Sequence, residues 1–287
     1  MIYRSAEEWR EAERKRVLLF GTSGVGKTHL SKLLRAAGGW YHYSIDYRIG
    51  TRYMGEHIVD SFKKEAMRVP LLRHLLMSDS IYIGSNIAFD NLSPLSTFLG
   101  KPGDPEKGGL ELDEYLRRQE LHRSAEIRAL KDTPHFISRA WDIYRYPNFV
   151  CDSGGSICEV VSPEDPDDPV LKTLAGSVLL VWIEGSDSHS EELTRRFDRD
   201  PKPMYYQPDF LAEAWAAYLA ESGTAPERVD PDTFVRWAYA RSLARRQPRY
   251  AAMAERWGVA VSADAVAALR EDGDFVDLVA EAIESGR

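Results

Sequence analysis

The fold is decided by the stretch Val17-Leu18-Leu19-Phe20-Gly21-Thr22-Ser23-Gly24-Val25-Gly26-Lys27-Thr28. Its first four residues form a short apolar run that ends at a glycine, which is typical of a buried parallel strand. After Thr28, apolar residues recur at helical spacing from Leu30 to Ala37, and a glycine pair at 38–39 follows as a stop signal. The sequence therefore predicts a strand, a glycine-rich loop and a helix in direct succession.

The loop matches the phosphate-binding P-loop, or Walker A, pattern G-x-x-x-x-G-K-[ST] in the strand-to-helix setting that this motif requires. Its glycines let backbone amides point at phosphate oxygens, and the helix N-terminus adds favourable partial charge. We expect Lys27 to contact the terminal phosphates and the Thr28 hydroxyl to bind Mg²⁺. The pattern predicts a bound nucleoside triphosphate. We expect ATP, with GTP as the alternative that the pattern leaves open. The predicted nucleotide-binding residues are Gly21, Ser23, Gly24, Val25, Gly26, Lys27, Thr28 and His29.

Further strands are predicted at Trp40 to Ile45, Phe149 to Cys151, Ser177 to Ile183 and Gly258 to Ser262. Because these strands alternate with helical patterns, we expect an α/β P-loop NTPase fold with a mostly parallel five-stranded sheet flanked by helices. A polar helix is expected from Ser5 towards Arg16, since Ser5 and Glu8 form a capping-box pattern.

The chain is expected to form a single domain over 1–287 that carries helical additions. The stretch between the second and third strands is far longer than a crossover needs. It predicts a helical insertion at about 95–147, with an amphipathic helix around Leu110 to Leu130. Another helical region is predicted at about 209–250, interrupted by a turn at Ser222 to Asp232. These helices are expected either to shape a substrate pocket or to bind a protein partner.

Composition narrows the range of partners and compartments. The formal net charge of −8 disfavours nucleic acid as a partner, because phosphate backbones attract basic surfaces. No apolar run reaches the length of a membrane span, and the charged start differs from a signal peptide. The cysteines, Cys151 and Cys158, form no C-x-x-C pair, which favours a reducing compartment. We therefore predict a cytoplasmic protein without a membrane association.

Several segments beyond the P-loop, in the expected order, resemble shikimate kinase and its gluconate-kinase and nucleotide-kinase relatives. The segment Ser44 to Asp46, followed by Tyr47 to Gly55, is similar to the family's D-x-D sequence with its downstream arginine and glycine, although serine replaces the first acid. Phe149 to Ile157 resembles a strand followed by a G-G-G turn, with Ser156 in place of the third glycine. The resemblance implies a P-loop small-molecule kinase.

Two later segments also resemble this group. Thr194 to Met204 is similar to the lid that closes over the triphosphate, so a lid is expected at about 194–206. Arg245 to Tyr250 is similar to the family's R-x-P-x-Y helix. The resemblance implies that Arg195 and Arg196 are lid arginines, which would stabilise the charge that spreads during phosphate transfer. A solvated helix end gives a similar run of charge.

Two carboxylates are predicted to complete the catalytic site. Asp46 can accept the proton of an acceptor hydroxyl or orient that hydroxyl, and its alternative role is a helix or strand cap. Asp152 is predicted to hold Mg²⁺ directly or through water and so to compensate for Ser44. Its alternative role is to cap the turn that follows, a position that favours aspartate.

The predicted acceptor site contains Asp46 together with arginines and glycines. Arg48 and Arg52 follow Asp46 closely and suit an anionic acceptor, with surface ion pairs as the alternative. By resemblance, Gly154 and Gly155 lie beside the acceptor, and Arg246 binds it.

The predicted function is ATP-dependent phosphotransfer to a hydroxyl of a small molecule, with Lys27, Asp46, Arg195 and Arg196 as catalytic residues. One alternative is a nucleotide-dependent ATPase or switch whose helical insertions bind a protein partner. A further alternative is a polynucleotide kinase, because Arg241 to Arg249 is locally basic. The acceptor itself is not identified by the sequence.

Overall fold

A computed structural model describes residues 1–286, which are built around a five-stranded parallel sheet with helices on both faces. The order across the sheet is β2-β3-β1-β4-β5, and every neighbouring pair is parallel. The predicted α/β P-loop NTPase fold is confirmed, and the sheet is wholly parallel. The strands are β1 (Arg16–Phe20), β2 (Trp40–Ser44), β3 (Asn148–Asp152), β4 (Leu179–Glu184) and β5 (Gly258–Ser262).

Strand β1 forms the centre of the sheet because its apolar residues can be buried on both faces. Residues 17–20 are fully buried, and side chains alternate between the two faces. Leu18 and Phe20 enter one core cluster, whereas Val17 and Leu19 enter the other. The register pairs Leu19 with Asp152. The end of β3 therefore lies directly beside the start of the P-loop.

Helices account for most of the remaining chain. No helix within residues 1–286 has both the length and the apolar character needed to span a membrane. The helices are α1 (Ala6–Glu11), α2 (Lys27–Ala36), α3 (Ile45–Arg48), α4 (Gly55–Ala66), α5 (Pro70–Met77), α6 (Ser93–Leu99), α7 (Leu112–Lys131), α8 (Thr133–Asp142), α9 (Ile157–Val160), α10 (Pro169–Ala175), α11 (Asp187–Arg199), α12 (Pro208–Ser222), α13 (Pro231–Trp257), α14 (Ala263–Ala268) and α15 (Asp272–Ser285).

Several element boundaries differ from the sequence prediction by one or more residues, β3 and β4 among them, and two of the differences are physically explained. Helix α1 ends at Glu11 rather than near Arg16, because Arg16 already belongs to β1 and pairs with Phe149. Strand β2 ends at Ser44, whose hydroxyl accepts a hydrogen bond from the backbone N–H of Tyr47 at 3.3 Å and caps α3. Asp46 therefore lies in the first turn of α3, and the geometry of that turn sets the direction of its side chain.

The helical additions flank the sheet. Between β2 and β3 the chain is mostly helical from α3 to α8, with two longer non-helical segments at 78–92 and 100–111, the second of which contains the short 3₁₀ turn Pro105–Lys107. The region predicted at about 95–147 therefore comprises α6, α7 and α8 and the second of these segments. The region predicted at about 209–250 comprises α12 and most of α13, which continues through Pro248.

A third apolar cluster joins α11, α12 and α13. Trp215, Tyr218 and Phe234 are buried within it, so these aromatic side chains belong to a core. Phe197 of α11 stacks on Tyr239 of α13 at 3.8 Å between ring centroids. This contact fixes α11 against α13.

Candidate functional site

The loop between β1 and α2 has the backbone shape of a phosphate cradle. Gly21, Gly24 and Gly26 adopt φ values of 136°, 95° and 102°, which side-chain-bearing residues rarely adopt. A Cβ atom at Gly21 would also lie 2.6 Å from the carbonyl oxygen of Ile183. The glycines thus allow the loop to curl tightly ahead of α2, whose first backbone N–H groups have no acceptor within the helix.

Lys27 lies inside this loop. Its side chain donates hydrogen bonds to the carbonyl oxygens of Gly21 at 2.8 Å and Thr22 at 2.9 Å, and the residue is 6% exposed. Burial lowers the pKa of Lys27, while Asp152 and Asp46 act in the opposite direction. The ammonium group is therefore held within the loop by two backbone carbonyl oxygens.

Thr28 and Asp152 meet at the mouth of the loop. The Thr28 hydroxyl donates to a carboxylate oxygen of Asp152 at 3.1 Å. Burial raises the pKa of Asp152, while Lys27 and the Thr28 hydrogen bond lower it. Hydroxyl and carboxylate oxygens are suitable ligands for Mg²⁺. Among the described side chains, no group of three or more His, Cys, Asp or Glu residues could hold a metal ion. A Mg²⁺ ion bound at Thr28 and Asp152 would therefore need further ligands from phosphates and water.

Asp46 faces the same cleft from the start of α3. A Cβ atom at Gly154 would lie 2.6 Å from a carboxylate oxygen of Asp46, so the turn after β3 packs directly on this carboxylate. Burial, aided by the negative charge of Asp152, raises the pKa of Asp46 to about 6. Asp46 is therefore a carboxylate that ionises close to neutral pH and can accept a proton there.

The turn at 153–156 connects Asp46 with the P-loop. A Cβ atom at Gly155 would lie 2.7 Å from the hydroxyl oxygen of Ser23. The turn is fixed from two sides, because Ser153 donates to the carbonyl oxygen of Leu19 at 2.9 Å and Tyr250 donates to that of Gly155 at 2.5 Å. The two glycines predicted to lie beside the acceptor are thus close to Asp46 and to the P-loop.

These groups line one cleft of about 350 Å³, bounded by the P-loop, α2, the ends of β2 and β3, and residues 89–92. His29 and Arg196 also line it, whereas Val25 is buried in the core. The Leu193 side chain of α11 covers the P-loop, since a Cβ atom at Gly24 would lie 2.6 Å from it. The cleft therefore has an α11 end, which carries Arg196, and an opposite end along α2.

Two arginines predicted for the acceptor site lie near Asp46 in the sequence and take different positions. Arg48 forms an ion pair with Asp132 at 2.8 Å and lies over the ring of Phe136. Arg52 is exposed on the π-helical turn Ile49–Tyr53. The substrate-binding role of both arginines stays a prediction.

The remaining predicted arginines lie in the helices after β4. Arg195 is exposed and pairs with Glu192 at 3.3 Å. Arg246 is 3% exposed, and its Nε lies 2.7 Å from a carboxylate oxygen of Glu159, which is fully buried in its side chain. A second guanidinium nitrogen of Arg246 donates to the carbonyl oxygen of Tyr205 at 2.8 Å. The structure places Arg246 within a buried ion pair.

A carboxylate that the sequence analysis did not single out lies close to Asp46. Glu126 of α7 has a fully buried side chain, and the Ser156 hydroxyl lies 2.9 and 2.8 Å from its two oxygens. Burial raises the pKa of Glu126 to about 8, and the negative charge of Asp46 adds to this. Ser156, which stands where the resembling family has a glycine, thus holds this acid. No spacing in the sequence links the two residues.

Lys32, Arg35, His42 and Phe89 also line the cleft, and the Nε2 atom of His42 lies 3.9 Å from a carboxylate oxygen of Asp152. The sequence analysis did not single out these four residues. A signal existed for three of them. Lys32 and Arg35 follow Thr28 at helical spacing, so they share a helix face with a predicted site residue. His42 alternates with Ser44 along β2, so it shares a strand face with the residue that stands where the resembling family has an acid. Phe89 comes from the non-helical segment 78–92, and its position could not be deduced from periodicity.

Comparison with known proteins gives a limited result. No family model matches the sequence, and no curated protein is significantly similar to it. Among solved structures, the 1.7 Å crystal structure of shikimate kinase from Bacteroides thetaiotaomicron is similar at 16% identity and a TM-score of 0.38, over 95% of this chain and 93% of that one. A likeness this distant assigns no activity, so a functional proposal has to rest on the geometry of the cleft.

Proposed function

We propose that this protein is an ATP-dependent phosphotransferase that acts on a hydroxyl group of a small molecule. The observation that supports it most is the meeting of two carboxylates with the P-loop in one cleft. Asp152 contacts Thr28, and Asp46 lies under Gly154 in the same cleft. A site that binds only a nucleotide and its metal needs Asp152 but not Asp46. A second substrate explains Asp46, which can accept a proton from that substrate.

In this proposal the P-loop holds the phosphates of ATP, and Thr28 and Asp152 hold Mg²⁺. The metal supplies charge neutralisation on the phosphate oxygens. Lys27 stabilises the terminal phosphate from inside the loop. Arg196 lies at the α11 end of the cleft and adds positive charge where negative charge spreads during transfer. Arg195 is assigned no contact, because its guanidinium pairs with Glu192.

Asp46 serves the acceptor. With its pKa raised to about 6, it is largely ionised at neutral pH, and it can accept the proton that the attacking hydroxyl releases. Gly154 keeps the space above its carboxylate free of side-chain atoms. The volume of about 350 Å³ lies within the range of small-molecule sites, and the phosphates occupy part of it. The acceptor is therefore of metabolite size.

The test is transfer of labelled phosphate. The protein is incubated with Mg²⁺, ATP labelled on the terminal phosphate and a pooled metabolite extract, and labelled products are separated. We expect a labelled product that disappears with Lys27→Ala and falls by about a hundredfold or more with Asp46→Asn, since a general base contributes at least that much. Lys64→Ala, an exposed cation on α4, serves as the matched control. Release of inorganic phosphate without a labelled product would contradict the proposal and favour an ATPase or switch.

A further inference from the structure

A second cavity, which we name the basal cavity, lies at the opposite end of the sheet from the P-loop. Its volume is about 380 Å³, and its lining includes Arg14, Arg16, Trp141, Tyr146 and Phe149. Arg16 is the first residue of β1 and pairs with Phe149 of β3. The P-loop follows the other end of β1, roughly 17 Å away at 3.3 Å per residue, so the two sites are separate.

Arg16 stands at a position where the strand pattern favours an apolar residue. Because side chains alternate along β1, Arg16 shares a face with Leu18 and Phe20, which belong to the core cluster that also contains Ala140 of α8. The Nε atom of Arg16 is buried and forms no hydrogen bond within residues 1–286. A buried polar group without a partner costs free energy, so this atom indicates a partner that does not belong to the chain itself.

The basal cavity has an excess of positive charge. Neither Arg14 nor Arg16 has a carboxylate within ion-pair distance among the described side chains. Asp142 also lines the cavity, but it is exposed to solvent and lies beyond that distance from both arginines. The Tyr3 hydroxyl accepts a hydrogen bond from the backbone N–H of Arg16 at 3.0 Å and donates one to the carbonyl oxygen of Arg14 at 3.1 Å. Burial raises the pKa of Tyr3 while Arg16 acts in the opposite direction, so this phenol is neutral and does not balance the charge.

The walls of the basal cavity are largely aromatic. The guanidinium group of Arg14 lies 3.6 Å from the ring centre of Trp141, and that of Arg145 lies over the same ring at 5.5 Å. Tyr146 and the buried Phe149 form another part of the lining. The cavity therefore combines cationic donors with flat apolar surfaces, and a ligand that fits it has both an anionic group and an apolar body.

We propose that the basal cavity binds a small organic anion whose carboxylate or phosphate group contacts Arg14 and Arg16. Its flat apolar body then lies against the wall formed by Tyr146 and Phe149. The forked N–H donors of a guanidinium group match the geometry of both oxyanions. The volume of the basal cavity lies within the range of small-molecule sites. It shares no lining residue with the P-loop cleft, so the anion and a nucleotide can be bound at the same time.

The test measures anion binding while the P-loop is filled. With Mg²⁺ and a non-hydrolysable ATP analogue at saturation, benzoate, phenyl phosphate or benzyl alcohol is titrated and its binding is followed by ligand-observed NMR. We expect saturable binding of at least one of the two anions, and the anion that binds more tightly distinguishes carboxylate from phosphate recognition. The neutral alcohol should bind about tenfold more weakly or less, because it cannot form hydrogen bonds between opposite charges.

Variants locate the binding. Arg14→Gln and Arg16→Met should each weaken anion binding about tenfold or more, because hydrogen bonds to charged groups contribute that much. Arg139→Ala, the matched control, removes an exposed arginine of α8 that lies over Phe136 outside the cavity lining, and it should bind as the parent protein does. Arg16→Met should keep or raise the melting temperature, because the buried Nε has no hydrogen bond to lose.

Three results would overturn the proposal. The first is the absence of saturable binding of both anions, since water would then satisfy Arg16. The second is unchanged affinity in either arginine variant, which would place the anion elsewhere. The third is equally tight binding of benzyl alcohol. Arg14 is exposed, so loss of binding in Arg14→Gln is not caused by unfolding. No phosphate is transferred in this experiment, so its outcome does not depend on the proposed function.

Discussion

Replacing Arg246 by methionine tests what the buried ion pair does. Arg246 and Glu159 are 3% and 0% exposed in their side chains, and Nε lies 2.7 Å from the carboxylate oxygen. The second oxygen of Glu159 has no hydrogen-bond partner within residues 1–286. In Arg246→Met the glutamate would stay buried without its cation. The hydrogen bond that the Arg246 guanidinium donates to the carbonyl oxygen of Tyr205 would also be lost.

The expected cost follows from this burial. Removing one partner of a buried pair costs about 3–5 kcal/mol in the free energy of unfolding, because a charge is left uncompensated. With a melting entropy of about 2.1 cal/mol/K per residue, a chain of this length has a total of about 0.6 kcal/mol/K. The melting temperature of Arg246→Met should therefore fall by about 5–8 °C.

Calorimetry and urea unfolding of the parent, Arg246→Met and the double variant Arg246→Met/Glu159→Leu measure this effect. The double variant should regain most of the lost stability, since neither charge remains in the core. If Arg246→Met kept the melting temperature of the parent protein and lost only affinity for the acceptor, the structural role of Arg246 would be refuted. That result would support the acceptor-binding role that the resemblance implied.

Four other predictions follow from the cleft. Gly154→Ala should lower phosphate transfer about tenfold or more while ATP affinity in a binding assay is kept, because its Cβ would lie 2.6 Å from Asp46; Gly273→Ala, with no crowded contact, is the control. Asp152→Asn should raise the Mg²⁺ concentration for half-maximal rate about tenfold or more, and an unchanged value would exclude metal binding. The rate should rise with pH through about 6 as Asp46 ionises, and a flat profile would contradict its role as base. Burial raises the folded-state pKa of Glu126 to about 8, so the contribution of its protonated form to the free energy of unfolding is full below the ordinary pKa of glutamate and is lost as pH rises towards 8. In the parent protein the urea midpoint should therefore fall with pH between these limits, and Glu126→Gln should make this dependence flatter. An unchanged dependence of the midpoint on pH would exclude Glu126 as the cause.

The sequence predicted the fold because local pattern and function coincide in the P-loop region. The apolar run at 17–20 has to be buried on both faces, and the glycines after it have to adopt unusual φ values. Both requirements can be deduced from the local sequence, without knowing which distant segments pack against it. Strands β2 and β3 were also identified, to within one residue at each end, because each is a short run rich in aromatic or apolar residues that stops at a carboxylate, Asp46 or Asp152.

The acceptor side was less predictable because it depends on contacts between segments distant in sequence. Ser156 meets Glu126 across thirty positions, and Arg246 meets Glu159 across 87. The sequence alone does not distinguish an arginine in an exposed lid from an arginine in a cleft or in a buried ion pair. Only packing distinguishes the position of Arg196 at the cleft from that of Arg246 in the core. Resemblance supplied the order of the segments, but it could not supply these partners.

The central position of β1 has a consequence for the dynamics of the nucleotide loop. This strand is hydrogen-bonded to β3 on one side and to β4 on the other, so its amides can exchange with deuterium only through extensive opening of the sheet. We therefore expect the loop to begin at one of the slowest-exchanging parts of the molecule. If the loop binds a nucleotide as we propose, the nucleotide would have little conformational entropy to remove at the start of the loop, and less of its binding energy would be spent on ordering the chain.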